Sequence, residues 1–167
     1  MVNLVVSVDQ SYSRVGSAVM EKDTGKVLFC GSIKLKPKYK VEKRKLLRRW
    51  IKKNVLSCIH EDDNVTMVIE TVRVFSHSKV FLNSIAALTS VSAMLCDIAF
   101  ANKIPIYQCD TRHWKSLVLK NSGASKQDAV NYAKKNYGLT LDHDAADALC
   151  IAVFGCLDKK RWQRADY

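Results

Sequence analysis

Val65-Thr66-Met67-Val68-Ile69-Glu70-Thr71 is a near-continuous apolar run of strand-forming residues broken by an acid close to its end. An uninterrupted run, as opposed to an alternation of apolar and polar residues, marks a central strand covered on both faces. Before it, residues 41–59 place Leu46, Leu47, Trp50, Ile51, Val55 and Ile59 at helical spacing, with lysines and arginines between them. Earlier still, residues 4–8, 15–20 and 27–33 read as three strands, the last two joined by the turn Lys22-Asp23-Thr24-Gly25. After the central run, a helix from Lys79 to Asn102 leads to a strand over 104–109, with Pro105 tolerable near its start.

The last third is helical. The turn Asp110-Thr111-Arg112 caps a short helix through Trp114 and Leu117, and Ser125 N-caps a helix that ends at Tyr137 and Gly138. A final helix begins between Asp142 and Asp144 and reaches Leu157, where Lys159, Lys160 and Arg161 suit the negative end of its dipole. This order predicts one α/β domain over residues 1–167. Its five-stranded mixed sheet has three antiparallel strands plus two parallel ones added through helical crossovers, and helices flank it.

Composition limits the function classes. The 167 residues are 48% hydrophobic and 26% charged, with two prolines and six glycines, which suits a globular chain and not a disordered one. No apolar run approaches the roughly 20 residues of a membrane span, and no basic segment precedes a signal-type stretch, so an intracellular protein that is neither secreted nor membrane-bound is expected. The six cysteines lie mostly in apolar segments without metal-ligand spacing and read as reduced, buried small hydrophobes. No small-molecule cofactor motif is present.

Four acids stand out against this background. Asp9 ends the run Leu4-Val5-Val6-Ser7-Val8, Glu70 ends the central strand, and Asp144 and Asp147 lie three residues apart at the start of the last helix. Ligands of open α/β sheets gather beyond the carboxyl ends of parallel strands, where Asp9 and Glu70 fall. A spacing of three puts Asp144 and Asp147 on one helical face. Four carboxylates in one cleft repel one another unless cations intervene, and oxygen ligands without His or Cys select Mg²⁺, with Mn²⁺ as a substitute, over zinc. Two such ions would clamp a scissile phosphate and hydrolyse a phosphodiester. Any one of these acids, taken singly, is better explained as a turn or helix-cap residue, and the case rests on the set. Asp62, Asp63, Asp110 and Asp142 read that way.

Outside that cluster the chain is basic: 27 Lys and Arg against 16 Asp and Glu, a net charge of +11. Residues 34–53 alone hold eleven of those basic side chains, Lys43, Arg44 and Arg48 among them, against a single Glu. Such a run repels itself unless a polyanion neutralises it, and nucleic-acid phosphates are the natural partner. Lys159, Lys160, Arg161 and Arg164 extend the same chemistry.

Val6-Ser7-Val8-Asp9, Val68-Ile69-Glu70 and His143-Asp144-Ala145-Ala146-Asp147-Ala148-Leu149, together with Trp114-Lys115 through Gly123-Ala124-Ser125-Lys126, resemble the RuvC family of Holliday-junction resolvases in the ribonuclease H-like superfamily. Within it the poxviral branch is the most similar. The resemblance implies a ribonuclease H-like fold. It also implies a homodimeric, structure-specific endonuclease that resolves four-way and related branched DNA, in viral genome concatemer resolution and recombination within an infected host cell. Asp9, Glu70, Asp144 and Asp147 would then hold two Mg²⁺ ions and Lys115 would act at the scissile phosphate. Lys126 would contact a neighbouring phosphate, and Phe75, with Phe81 as its competitor, would meet unstacked bases. Trp114 reads as core beneath the site, and His143 as a group able to orient a carboxylate or a water. The helix at 79–102, with Ala86, Ala87, Ser90, Ser92 and Ala93, suits a dimer interface; it also suits a crossover packed on the sheet within the monomer, and the two uses can occupy different faces. Two other functions share these features: a ribonuclease H-like nuclease acting on RNA or RNA–DNA hybrid, and a non-catalytic basic DNA-binding protein.

Overall fold

The apolar run becomes a central strand with a neighbour on each side. A computed structural model of the chain describes residues 1–11, 13–36, 40–71, 79–157 and 163–164. Strands β1 (Asn3–Gln10), β2 (Arg14–Glu21) and β3 (Val27–Lys34) form the antiparallel meander. Helix α1 (Lys40–Asn54) leads to β4 (Asn64–Glu70), which pairs in parallel with β1. Helix α2 (Lys79–Ala101) crosses to β5 (Ile106–Cys109), parallel to β4. Helices α3 (Thr111–Val118), α4 (Lys126–Tyr137) and α5 (His143–Leu157) follow, and β6 (Gln163–Arg164) closes the edge antiparallel to β5. The strand order is β3-β2-β1-β4-β5-β6.

The five expected strands and their directions are present. The sixth, two residues long, carries no periodicity a sequence can display. The helix expected to continue to Ile59 stops at Asn54, and a single 3₁₀ turn, Leu56–Cys58, follows. Two side chains end it: Asn54 Nδ2 donates to the Trp50 carbonyl at 2.9 Å and Ser57 Oγ to that of Lys53 at 2.6 Å, occupying carbonyls at its end. The strand expected from residue 104 starts at Ile106, because Ile104 N–H still bonds the Ala99 carbonyl at 2.8 Å through a left-handed Lys103.

The sheet divides the core in two. On one face Leu4, Val6, Val8, Met67 and Ile69 pack with Leu47 and Ile51 of α1 and Met94, Leu95 and Ile98 of α2. On the other, Val5, Ala18, Met20 and Val68 pack with Trp114 of α3, Ala129 and Ala133 of α4, and Leu149, Ala152 and Val153 of α5. Helix α5 is buried from Ala145 to Gly155, consistent with a helix that is apolar all round and enclosed by sheet, α3 and α4. Its approach to the sheet depends on glycine at both ends. A Cβ on Gly155 would come within 2.7 Å of Val5 Cγ1, and one on Gly16 within 1.9 Å of the Asp144 carbonyl oxygen.

Candidate active site

Strand parity selects the side chains that reach the carboxyl edge of the sheet. In β1, Val5 faces α5 and Ser7 Oγ donates to the Ala148 carbonyl at 2.6 Å, so Asp9 emerges on the α5 side. In β4, Val68 faces the same way and Glu70 follows it two residues later. The parallel register Ser7↔Val68 and Val8↔Ile69 carries Asp9 and Glu70 to neighbouring positions at the two strand ends.

The other two acids arrive on α5. Asp142 starts this helix by accepting the Ala145 N–H at 2.9 Å. The Asp144 carbonyl lies on Gly16, the residue paired with Asp9 across β1 and β2. Asp147, one turn further, is 7% exposed, and its Oδ1 has no hydrogen-bond partner among the described residues. Buried polar atoms without partners are rare in folded proteins.

Electrostatics place the four acids in one shared environment. The Asp9 carboxyl is held well above the usual range, first by burial and then by the charges of Glu70, Asp147 and Asp144, with Lys126 opposing them. Asp147 is pushed up to about 6, chiefly by burial; Lys126 and Lys115 pull it down while Glu70 and Asp144 push it up. Asp144 is met by Arg14 Nε at 3.3 Å and by Lys126 Nζ at 3.8 Å. Glu70 accepts the Trp114 indole N–H at 2.9 Å through Oε1. Lys115 Nζ donates to the Ala124 carbonyl at 2.7 Å, tying α3 to the loop that delivers Ser125, the N-cap of α4, and Lys126 beside it.

Among the described residues no three His, Cys, Asp or Glu side chains stand close enough to enclose an ion by themselves. The donor set nonetheless fits Mg²⁺, which is commonly bound by one or two carboxylates and completed by water and substrate phosphate oxygens, not by an all-protein cage. Burial and mutual repulsion, which together raise Asp9, and a buried oxygen on Asp147 unpartnered among the described residues are what such an ion would relieve.

The remaining candidates from the sequence spread out. Lys43, Arg44 and Arg48 lie on α1, across the sheet from these acids, with Arg44 and Arg48 exposed. Phe75 and His77 fall outside the described residues, as do the side chain of Phe81 and residues Lys159, Lys160 and Arg161. His113 and His143 are exposed. Asp110 and Asp63 cap and brace turns as expected. The six cysteines are reduced and form no disulfide. On α2, Ser92 is buried and donates to Gln10 Oε1 at 2.8 Å, so it belongs to the interior, whereas Ala86 and Ala93 are exposed.

Several site residues escape a linear reading. Arg14 also reaches Asp142 at 3.5 Å, and Ser32 Oγ donates to the same carboxylate at 2.5 Å. Gln10 Nε2 donates to the Glu70 carbonyl at 2.8 Å. Trp114 is core, as expected, and also a hydrogen-bond donor to the site. Gly16 alone carries a sequence signal, since a glycine inside a strand pattern marks a close backbone approach.

No protein-family model matches the chain, and no curated protein matches its sequence. Solved structures do. One is T. thermophilus RuvC in complex with Holliday junction substrate: 17% identity, TM-score 0.68, with 90% of each chain covered. Another is the Thermus thermophilus RuvC structure, at 19% identity and TM-score 0.66, covering 90% of this chain and 91% of that one. The fold of this chain is that of RuvC, the ribonuclease H-like fold.

Proposed function

We propose that this chain is a structure-specific endodeoxyribonuclease that resolves four-way DNA junctions by divalent-metal-dependent phosphodiester hydrolysis. The observation that carries this reading is the convergence of Asp9 and Glu70, at neighbouring strand ends, with Asp144 and Asp147 of α5 in one electrostatically coupled cluster. The RuvC fold supports it, one of the similar structures being a complex with a Holliday junction.

In this reading the four carboxylates hold two Mg²⁺ ions. When bound, such ions polarise a phosphate and lower the pKa of a water. The chain's own residues do the rest. Asp147, buried, and Asp9, half-buried, concentrate negative charge where a cation must sit. Lys115, anchored on Ala124, and Lys126, at the start of α4, present ammonium groups on the acidic cluster's border, where a phosphate would lie. Phe75 is assigned to the bases at the crossover, and Lys43, Arg44 and Arg48 to phosphates along the DNA arms.

A junction is cut productively by paired nicks, which a homodimer delivers through two identical sites. Ser90 and Ala93 of α2 line a groove with Arg44, Lys45 and Arg48 of α1, so pairing through α2 would bring that basic face to the rim of the dimer. The biological setting we assign is resolution of viral genome concatemers and recombination intermediates, with the whole chain as one nuclease domain.

The deciding assay offers labelled four-way DNA, RNA–DNA hybrid and linear duplex side by side with Mg²⁺. Paired, symmetric nicks in the junction alone are expected. Preferential cutting of the hybrid would move the chain to the RNA-directed reading, and tight junction binding without any cleavage to the non-catalytic one.

A further inference from the structure

Glu70 is held at both ends by neutral donors. Its backbone carbonyl accepts Gln10 Nε2 at 2.8 Å, and Gln10 Oε1 accepts Ser92 Oγ of α2 at 2.8 Å, both side chains being buried on the far face of the sheet. Its carboxylate accepts the indole N–H of Trp114 at 2.9 Å. Trp114 is 1% exposed and packed in the α5-side core, so its ring cannot swing to follow a moving acceptor. Its helix is fixed too, because Asp110 caps α3 by accepting the N–H groups of Arg112 and His113.

Asp144 is treated differently. Arg14 and Lys126 meet it with full positive charges. A guanidinium or ammonium orients a carboxylate but also cancels its charge; an indole N–H orients it and leaves the charge available. We infer that Trp114 is a positioning residue: its buried N–H holds Glu70 Oε1, so that the Glu70 carboxylate would be presented to a divalent cation in fixed orientation. This rests on the reading of Glu70 as a metal ligand. Hydrogen bonds to the outer side of a ligating group fix its orientation and change metal affinity by about 10- to 100-fold when removed.

The test uses the nitrogen-15-labelled full chain without DNA. The indole N–H resonances of Trp50, Trp114 and Trp162 are followed during Mg²⁺ titration, that of Trp114 being assigned by its absence from Trp114→Phe. Trp114 should shift saturably and Trp50, on α1 across the sheet, should not; in Glu70→Gln the Trp114 shift should disappear. In cleavage assays Trp114→Phe should raise the half-maximal Mg²⁺ concentration about 10- to 100-fold while junction binding holds. An unmoved Trp114 resonance, or an unchanged Mg²⁺ requirement in a folded Trp114→Phe, overturns the inference. Should Trp114→Phe fail to fold, Trp50→Phe and Trp162→Phe assign the Trp114 resonance by elimination, and the wild-type and Glu70→Gln titrations decide it. A saturable Trp114 shift in a chain that cuts no junction would uphold the positioning role and defeat the junction-resolving reading. Junction cleavage with a silent Trp114 would do the reverse.

Discussion

The backbone carbonyl of Asp144 rests on the α-carbon of Gly16, so close that a Cβ there would stand 1.9 Å from the carbonyl oxygen. This approach sets the height of α5 above the sheet. Because Gly16 pairs with Asp9, it also sets the distance between the helix acids and the strand acids. Gly16→Ala must therefore lift the start of α5, with a loss of roughly 3 kcal/mol from overpacking against backbone that cannot rotate away. Gly155→Ala meets first the Val5 side chain, at 2.7 Å. Thermal denaturation of both variants should show the larger loss for Gly16→Ala, and cleavage should fail in that variant first.

Asp147→Asn separates chemistry from stability. The substitution should cut cleavage by at least about a hundredfold, the scale of losing one preorganised electrostatic interaction in a site. Burial and like charge disfavour the ionised Asp147, so the metal-free variant should be more stable than wild type at neutral pH, by up to roughly 3 kcal/mol for a shift from 3.8 to about 6. Junction binding, followed by gel shift, should persist or tighten. Undiminished cleavage would remove Asp147 from the site.

The raised carboxyls fix the sign of a pH effect. Asp147 and Asp9 hold protons in the folded state at pH values where the unfolded chain has lost them, so their contribution favours folding below about pH 4 and fades as pH rises through the folded-state values. For Asp147 the window runs from 3.8 to about 6. The melting temperature of metal-free wild type should fall across that window more steeply than that of Asp147→Asn. Mg²⁺ should restore more stability at pH 7 than at pH 5, where it competes with protons. A calorimetric pH series with and without Mg²⁺ measures both.

Helix α1 supplies charge away from the acids. Replacing Arg44, Lys45 and Arg48 together by Gln should weaken junction binding. It should also flatten the dependence of binding on salt, by about 0.9 in log–log slope for each DNA phosphate that these side chains no longer neutralise. Turnover at saturating DNA should hold, since these residues sit on the face opposite Asp9 and Glu70. A changed turnover with unchanged salt slope would place α1 in the chemistry instead.

Much of this molecule is legible along the chain: the α/β class, the three-plus-two strand pattern, the caps at Asp110, Ser125 and Gly138, and the four acids as a set. Hydrophobic period, turn chemistry and strand-end position are local properties, so a linear reading recovers them. Even the face on which Asp9 and Glu70 emerge follows from strand parity once the apolar neighbours are assigned to a layer. What each acid meets is a matter of packing. Arg14 is 130 residues from Asp144 in sequence, Trp114 is 44 from Glu70, and Ser92 reaches Glu70 only through Gln10. Such partners are chosen by how α3, α5 and α2 pack on the two faces of the sheet, and no spacing along the chain records that. Burial is likewise a property of the packed whole, so the proton affinity of Asp147 and its unpartnered oxygen belong to the folded molecule and not to the order of its residues.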